Sequence, residues 1–235
     1  MPTGWKKYSP LDYQSHRRKN EDLPCSIPTC ERRRARDSRW CGSHFSTWRH
    51  MGRPDAKTVH IDAYDAWLPI AREFARRQLE AGNTGYLTAL EIVEDAVLMP
   101  GAAVLQRVRE LDQAYTSRFS EAAAWLVERR VDAREILVRL VAVVMFYAAE
   151  KPPGWDLVVL ERQIARYIMK AGGRPAFRDR NRAAPFYRSL GNVIGGRLKR
   201  YIAVVAHHVE SVHRDNASLA QRLSVLPERD PRGGY

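Results

Sequence analysis

Three cysteines and one histidine near the start of the chain have the types and spacing of metal ligands. Cys25, Cys30 and Cys41 are the only cysteines in the 235 residues, and His44 follows three positions after the last of them. Thiolates and a neutral imidazole are donors that Zn²⁺ prefers, and four protein ligands leave no position open for a catalytic water. The pattern Cys-x4-Cys-x10-Cys-x2-His therefore predicts one structural zinc ion per chain.

Two alternatives to this ligand set stay open at the level of sequence. His50 could replace His44 as the fourth ligand, although the two-residue spacing from Cys41 favours His44. The cysteines could also be unligated reduced thiols, whereas disulfides are disfavoured because the number of cysteines is odd and no signal peptide precedes them. Residues 31–40 are almost all polar, so we expect metal binding to supply the folding energy of this segment.

Residues 25–54 resemble a small zinc module of DNA-transacting proteins. The segments that carry the resemblance are Cys25-Ser-Ile-Pro-Thr-Cys30-Glu-Arg32, Trp40-Cys41-Gly-Ser-His44-Phe45 and Trp48-Arg49-His50-Met-Gly52-Arg53-Pro54. Similar modules occur in HNH-type endonucleases and tyrosine recombinases of high-GC bacteria and their phages. The resemblance implies that Cys25, Cys30, Cys41 and His44 bind the metal. It also implies that Trp48 and residues 50–54 form a closing helix and turn.

The catalytic residues of those enzymes do not follow the module in a matching pattern. An HNH nuclease needs further histidines on a ββα element, and a tyrosine recombinase needs a His-x-x-Arg motif and a nucleophilic tyrosine. The residues three positions after His207 and His208 are Glu210 and Ser211, which breaks the recombinase pattern. We therefore assign no catalytic residue and expect a non-enzymatic protein. A divergent nuclease or recombinase-related enzyme is the alternative.

Basic residues concentrate at both ends of the chain, which has 39 Lys and Arg against 27 Asp and Glu, a net charge of +12. Residues 1–57 hold 13 basic against 6 acidic residues, residues 172–235 hold 12 against 5, and the middle is nearly neutral. Such segregation favours a nucleic-acid partner, and we expect DNA. The candidate nucleic-acid-binding residues are Arg32, Arg33, Arg34, Arg36 and Arg39 in the module, and Arg174, Arg178, Arg180, Arg182, Arg197, Lys199 and Arg200 in a second cluster.

Capping and stop signals predict that the region after the module is helical. Asp132 and Asp156 are candidate N-caps, and residues 136–147 are apolar on nearly every side, which predicts a central helix. Glycine and proline residues predict three interruptions. Met99-Pro100-Gly101 is predicted to end a helix. An extended segment with Arg178, Arg180 and Arg182 is predicted to precede a helix that begins at Pro185, and the set Gly191, Gly195 and Gly196 is predicted to bend or break that helix. The alternative for this glycine set is a close approach to DNA or to a partner helix.

The predicted fold is mainly α, with a small N-terminal zinc-binding module followed by an irregular helical bundle. The predicted boundaries are a flexible basic arm at 1–24, the module at 25–57, the bundle at 58–171, and a basic segment with a long helix and flexible tail at 172–235. The longest apolar run has 14 residues and contains Arg139, so we expect no membrane span and a cytoplasmic location.

For the biological role we expect a phage or mobile-element regulator or an accessory factor that partners a recombinase. A helical protein–protein adaptor, in which the basic ends only increase solubility, is a further alternative. Binding to nucleic acid should weaken steeply with salt, whereas binding by an adaptor need not.

Overall fold

Helices make up most of the structure, a computed structural model that describes residue 14 and residues 18–111, 117–173 and 180–224. The ordered elements within these residues are eight α-helices, a short 3-10 helix and a π-helical turn, with no strand beyond an isolated antiparallel bridge between Pro24 and Arg33. The prediction of a mainly α fold is therefore confirmed. No helix in the described part of the chain combines the length and the apolarity needed to span a bilayer.

The segment with the candidate metal ligands leads into α1 (Gly42–Met51), which is followed by the 3-10 helix (Ile61–Tyr64). α1 ends at Gly52, whose φ of 90° lies in the left-handed region that glycine adopts without strain. The N–H of Gly52 donates to the carbonyl oxygen of Trp48 at 2.9 Å and so closes the last turn of α1.

The next helix is α2 (Leu68–Glu80), and after the turn at residues 81–83 a second run is continuous: α3 (Thr84–Val93), the π turn (Glu94–Leu98) and α4 (Met99–Leu111). The prediction that residues 99–101 end a helix is wrong, because the π turn leads directly into α4. A π turn adds one residue and relieves the clash between the ring of Pro100 and the preceding turn. Gly101 allows close packing on α5 (Arg118–Glu128), since a Cβ there would lie 2.6 Å from the backbone of Ala123.

Two aspartates begin the central helices, as predicted. Asp132 precedes α6 (Ala133–Glu150) and accepts a hydrogen bond from the N–H of Glu135 at 2.7 Å. Asp156 precedes α7 (Leu157–Ala171) and accepts one from the N–H of Val159 at 3.0 Å. Each carboxylate satisfies a backbone donor that would otherwise lack a partner in the first turn.

The last helix, α8 (Arg180–Ser224), is longer than the sequence predicts. It begins five residues before Pro185, so the predicted extended segment is wrong for Arg180 and Arg182, which lie in the first turn. Arginine and alanine at residues 180–184 are strong helix formers, and their propensity outweighs the single backbone bond that Pro185 removes.

The glycines of α8 do not break the helix; two of them bring α7 and α8 together. A Cβ on Gly191 would lie 2.7 Å from the carbonyl oxygen of Glu161, and one on Gly195 would overlap the Glu161 side chain. Gly196 faces open space instead. The predicted break is therefore wrong, and the alternative of a close approach to a partner helix is confirmed for Gly191 and Gly195.

The core is built around α6, whose residues 136–144 are buried except for Arg139. Helices α2, α7 and α8 pack around it. The predicted central position of residues 136–147 is confirmed. The last residue of α1, Met51, is fully buried in the same core, so the helix that follows the candidate ligands packs with the bundle at this point.

Candidate metal centre

The four predicted ligands lie together in a cluster that could hold one metal ion. The Nδ1 atom of His44 lies 3.3 Å from the Sγ of Cys25 and 3.4 Å from the Sγ of Cys41. The Sγ atoms of Cys30 and Cys41 are 3.8 Å apart, and all four ligand atoms lie within 4.8 Å of one another. His44, and not His50, is the histidine of the cluster.

These distances match the edges of a tetrahedral metal site. Zn–S bonds of about 2.3 Å and a Zn–N bond of about 2.0–2.1 Å give tetrahedral S–S and S–N edges of about 3.8 and 3.6 Å. Thiolates repel one another, so short distances between their sulfur atoms become favourable when a cation lies between them. Four protein ligands complete the tetrahedron, so the site has the form of a structural centre.

Backbone N–H groups donate hydrogen bonds to two of the candidate ligand sulfurs, and the net change in pKa differs between the two. Burial alone would raise the pKa of the Cys25 thiol, but hydrogen bonds from the backbone of Ile27 and Cys41, together with the His44 ring, lower it to about 6. The bond from the Cys41 N–H to the Cys25 Sγ measures 3.3 Å. Cys30 accepts a similar backbone bond from Arg32, which lowers its pKa, but burial and the neighbouring Cys41 and Cys25 sulfurs leave it raised.

A small aromatic cluster supports the centre, and this is a feature that the sequence analysis missed. Trp40 is buried with Cys25 and Cys41, and its ring centroid lies 5.1 Å from that of Trp48. Phe45 stacks on Trp48 at 5.7 Å. The loop therefore has apolar packing of its own in addition to its metal ligands. The signal was present in the sequence as aromatic residues directly beside the ligands.

A buried arginine of the bundle holds the end of α1. Arg162 of α7 is only 9% exposed, and its Nη1 donates to the carbonyl oxygens of Trp48 at 3.1 Å and Arg49 at 3.2 Å. These carbonyls belong to the negative end of the α1 dipole, where a cation is favourable. Gly52 allows this approach, because a Cβ there would lie 2.8 Å from Val158 and 3.0 Å from the Arg162 guanidinium.

Two further sets of contacts fix the module on the bundle. Gln163 donates to the sulfur of Met51 at 2.8 Å and accepts from the hydroxyl of Tyr64 at 3.2 Å. The Trp155 indole donates to the carbonyl oxygen of Lys57 at 2.8 Å. The metal-ligating loop is therefore held from both the end of α1 and the segment that follows it.

The module arginines lie in the loop between Cys30 and Cys41, and most are exposed: Arg32, Arg33, Arg36 and Arg39 are exposed, and Arg34 is half-buried. Arg33 pairs with Asp22 at 3.0 Å, and Arg32 donates to the Ser43 hydroxyl at 2.6 Å. The guanidinium of Arg39 lies 4.7 Å above the Trp40 ring. Arg34 is structural, since its Nε donates to the carbonyl oxygen of Pro24 at 2.9 Å.

The second predicted cluster is described only in part. Arg197, Lys199 and Arg200 are exposed on α8, and Arg197 and Arg200 line a groove beside α2 and α3. Arg174 and Arg178 lie outside the described residues, as do the side chains of Arg180 and Arg182, most of the predicted arm 1–24 and the predicted tail beyond residue 224.

Comparisons with protein-family models, with curated proteins and with solved structures found no match to this chain. The resemblance of residues 25–54 to zinc modules of DNA-transacting proteins thus rests on the Cys3His pattern and its neighbouring residues. The geometry adds a cluster with the form of a closed metal site.

Proposed function

We propose that this chain is a zinc-stabilised, non-enzymatic DNA-binding protein. The observation that carries the proposal is a candidate metal centre whose ligands are linked by a loop of exposed arginines, on a chain with a net charge of +12. Three thiolates and one imidazole suit Zn²⁺ better than Mg²⁺ or Ca²⁺, which prefer oxygen ligands.

The module arginines are suited to phosphate contacts because their backbone is held in place. The metal cluster, the aromatic cluster and Arg162 fix the loop, so little backbone entropy remains to be lost on binding. Arg32, Arg33, Arg36 and Arg39 present four guanidinium groups to solvent, and guanidinium is the group that binds phosphate oxygens bidentately. Lys199, Arg197 and Arg200 of α8 are proposed as the second contribution.

A salt titration of DNA binding tests this proposal. The probe is a fluorescent 20-base-pair duplex, and its affinity is measured by anisotropy between low and moderate salt. The triple variant R32Q/R33Q/R39Q should weaken binding and reduce the slope of log K against log salt by about 2–3, since each lost phosphate contact contributes about 0.9.

The matched control removes three exposed arginines elsewhere, R72Q/R107Q/R109Q, and has the same change in net charge. It should retain the slope of the unmodified protein. An equal loss of DNA affinity in both variants would show that the effect depends only on the net charge of the protein. Unchanged affinity in the module variant would show that the module does not contact DNA. Strand cleavage in Mg²⁺-containing mixtures, read on a denaturing gel, would favour the alternative of a divergent nuclease or recombinase.

The module's resemblance supports a setting in phage or mobile-element DNA transactions. In that setting the chain acts in the cytoplasm as a regulator or as an accessory factor to a recombinase. Co-purification of a tagged recombinase from the same genetic element, dependent on DNA, is the corresponding test. A helical protein–protein adaptor is the second candidate function, because the bundle carries an open apolar groove between α2 and α8.

A further inference from the structure

A continuous groove runs between α2 and α8. Two cavities of 790 and 550 Å³ share Phe74, Gln78 and His208 as lining residues and so form one channel along the surface. The groove extends along α8 from Arg197 to Val212, which are fifteen residues apart in one helix. At 1.5 Å per helical residue this is a length of roughly 20 Å.

The floor and rim of the groove are unusually apolar for exposed surface. Val204 is 66% exposed, Ile70 is 53% exposed and Val212 is 44% exposed, and all three line the groove. Val204, His208 and Val212 recur every four residues and therefore lie on one face of α8. Contiguous exposed aliphatic side chains between two helices are typical of a protein-binding site.

The groove is positively charged at one end. Arg197 and Arg200 line it there, and neither makes an ion pair or hydrogen bond with the described residues. Thr84 and Gly85, in the first turn of α3, line the same end, and helix N-termini carry partial positive charge. At the other end the carboxylate of Glu73 is already paired, with Arg76 and Arg77 lowering its pKa to about 2.

We propose that this groove binds an amphipathic helix of a partner protein, with acidic residues placed against Arg197 and Arg200. A helix of about 14 residues has the 20 Å length of the groove. Its apolar face at positions i, i+3, i+4 and i+7 would cover Ile70, Val204 and Val212, the helix-in-groove mode of recognition. The groove is too open to enclose a small ligand, since Val204 alone leaves two thirds of its surface exposed.

This surface does not include the module arginines, but its Arg197 and Arg200 are also the residues proposed as the second contribution to DNA binding, so the two ligands would compete for that end of the groove. Val204 and Ile70 are exposed, so aspartate at either position is compatible with the fold. Variants V204D and I70D should therefore retain the helical circular dichroism of the unmodified chain, and I70D, which lies away from Arg197 and Arg200, should also retain its DNA affinity. Met99→Asp, at a residue 59% exposed outside the groove, is the matched control.

Selection from a displayed library of random 16-residue peptides tests the proposal on the full chain loaded with zinc. Peptides enriched on the unmodified protein but not on V204D should carry apolar residues at helical spacing and Asp or Glu at one end. By fluorescence anisotropy, V204D and I70D should weaken the best peptide at least about tenfold, and M99D should not. The double variant R197E/R200E should weaken it similarly and recover when lysine replaces the peptide's acidic residues.

Two results would overturn this proposal. One is equal enrichment on the unmodified chain and on V204D, including no enrichment on either. The other is a set of groove-dependent peptides that lack helical spacing or acidic residues.

Discussion

The close contact between α7 and α8 predicts that two glycines of α8 respond differently to replacement by alanine, one of them serving as the control for the other. Gly191 and Gly196 both lie in the interior of α8, where replacing glycine with alanine stabilises a helix by about 1 kcal/mol. Their surroundings differ, because a Cβ on Gly196 meets nothing within 4 Å and a Cβ on Gly191 lies 2.7 Å from the carbonyl oxygen of Glu161.

The steric part of the effect can be worked from this distance. An ordinary contact between a methyl carbon and an oxygen is about 3.4 Å or more, so α7 and α8 would have to separate locally by several tenths of an ångström. Overpacking of this kind costs roughly 1–3 kcal/mol. We expect G196A to raise the free energy of unfolding by about 1 kcal/mol. The free energy of unfolding of G191A should be about 1–3 kcal/mol lower than that of G196A.

Urea denaturation followed by far-UV circular dichroism, with zinc saturating, measures both variants. The difference between them is the decisive quantity, since helix propensity cancels in it. Equal stabilisation by G191A and G196A would refute the close approach of the two helices at Glu161. A changed dependence on urea in one variant would show that the denatured state had changed instead.

Three further predictions follow from other parts of the molecule. The purified protein should contain one zinc per chain, and C41S should lose it; elemental analysis finding none in the unmodified chain would contradict the metal centre. Tyr86→Phe removes a buried hydroxyl that has no hydrogen-bond partner in the described part of the chain, so the free energy of unfolding should rise by about 1 kcal/mol. A loss of stability in urea would instead reveal a partner for that hydroxyl. The Lys170 ammonium lowers the pKa of Asp62 below its ordinary 3.8, and although burial raises the pKa of Asp65, hydrogen bonds from Lys170 and Tyr167 lower it overall. Because these folded-state pKa values lie below the unfolded ones, the stabilisation is present above about pH 4 and is lost as the pH falls through the lower folded values. Lys170→Met should therefore flatten the fall of the melting temperature in acid, and an unchanged acid profile would contradict a role for this cluster.

The sequence predicted local features well because their physics is local. The caps at Asp132 and Asp156 accept hydrogen bonds from N–H groups three residues away. The burial of α6 could be predicted from the apolar residues of that helix alone. The candidate metal ligands were equally predictable, since Cys25, Cys30, Cys41 and His44 lie within twenty positions and their grouping depends on spacing.

Features that depend on a distant partner were not predictable in the same way. Gly101 and Gly191 look like helix breakers when only their own propensity is considered. The packing partners that make glycine necessary, Ala123 and Glu161, lie more than twenty positions away. The role of Arg162 was hidden for the same reason, since nothing near it in sequence marks it as a cap for α1.

The distance in sequence between Arg162 and the end of α1 that it holds has a consequence for the order in which the chain folds during synthesis. All four metal ligands have been translated by residue 44, whereas Arg162 follows Trp48 by 114 positions. At about 5–20 residues per second, roughly 6–23 s pass on the ribosome before the arginine that holds the end of α1 is translated. During this interval the Cys3His cluster and the Trp40–Trp48 contact are the only ones of these supports that have already been translated.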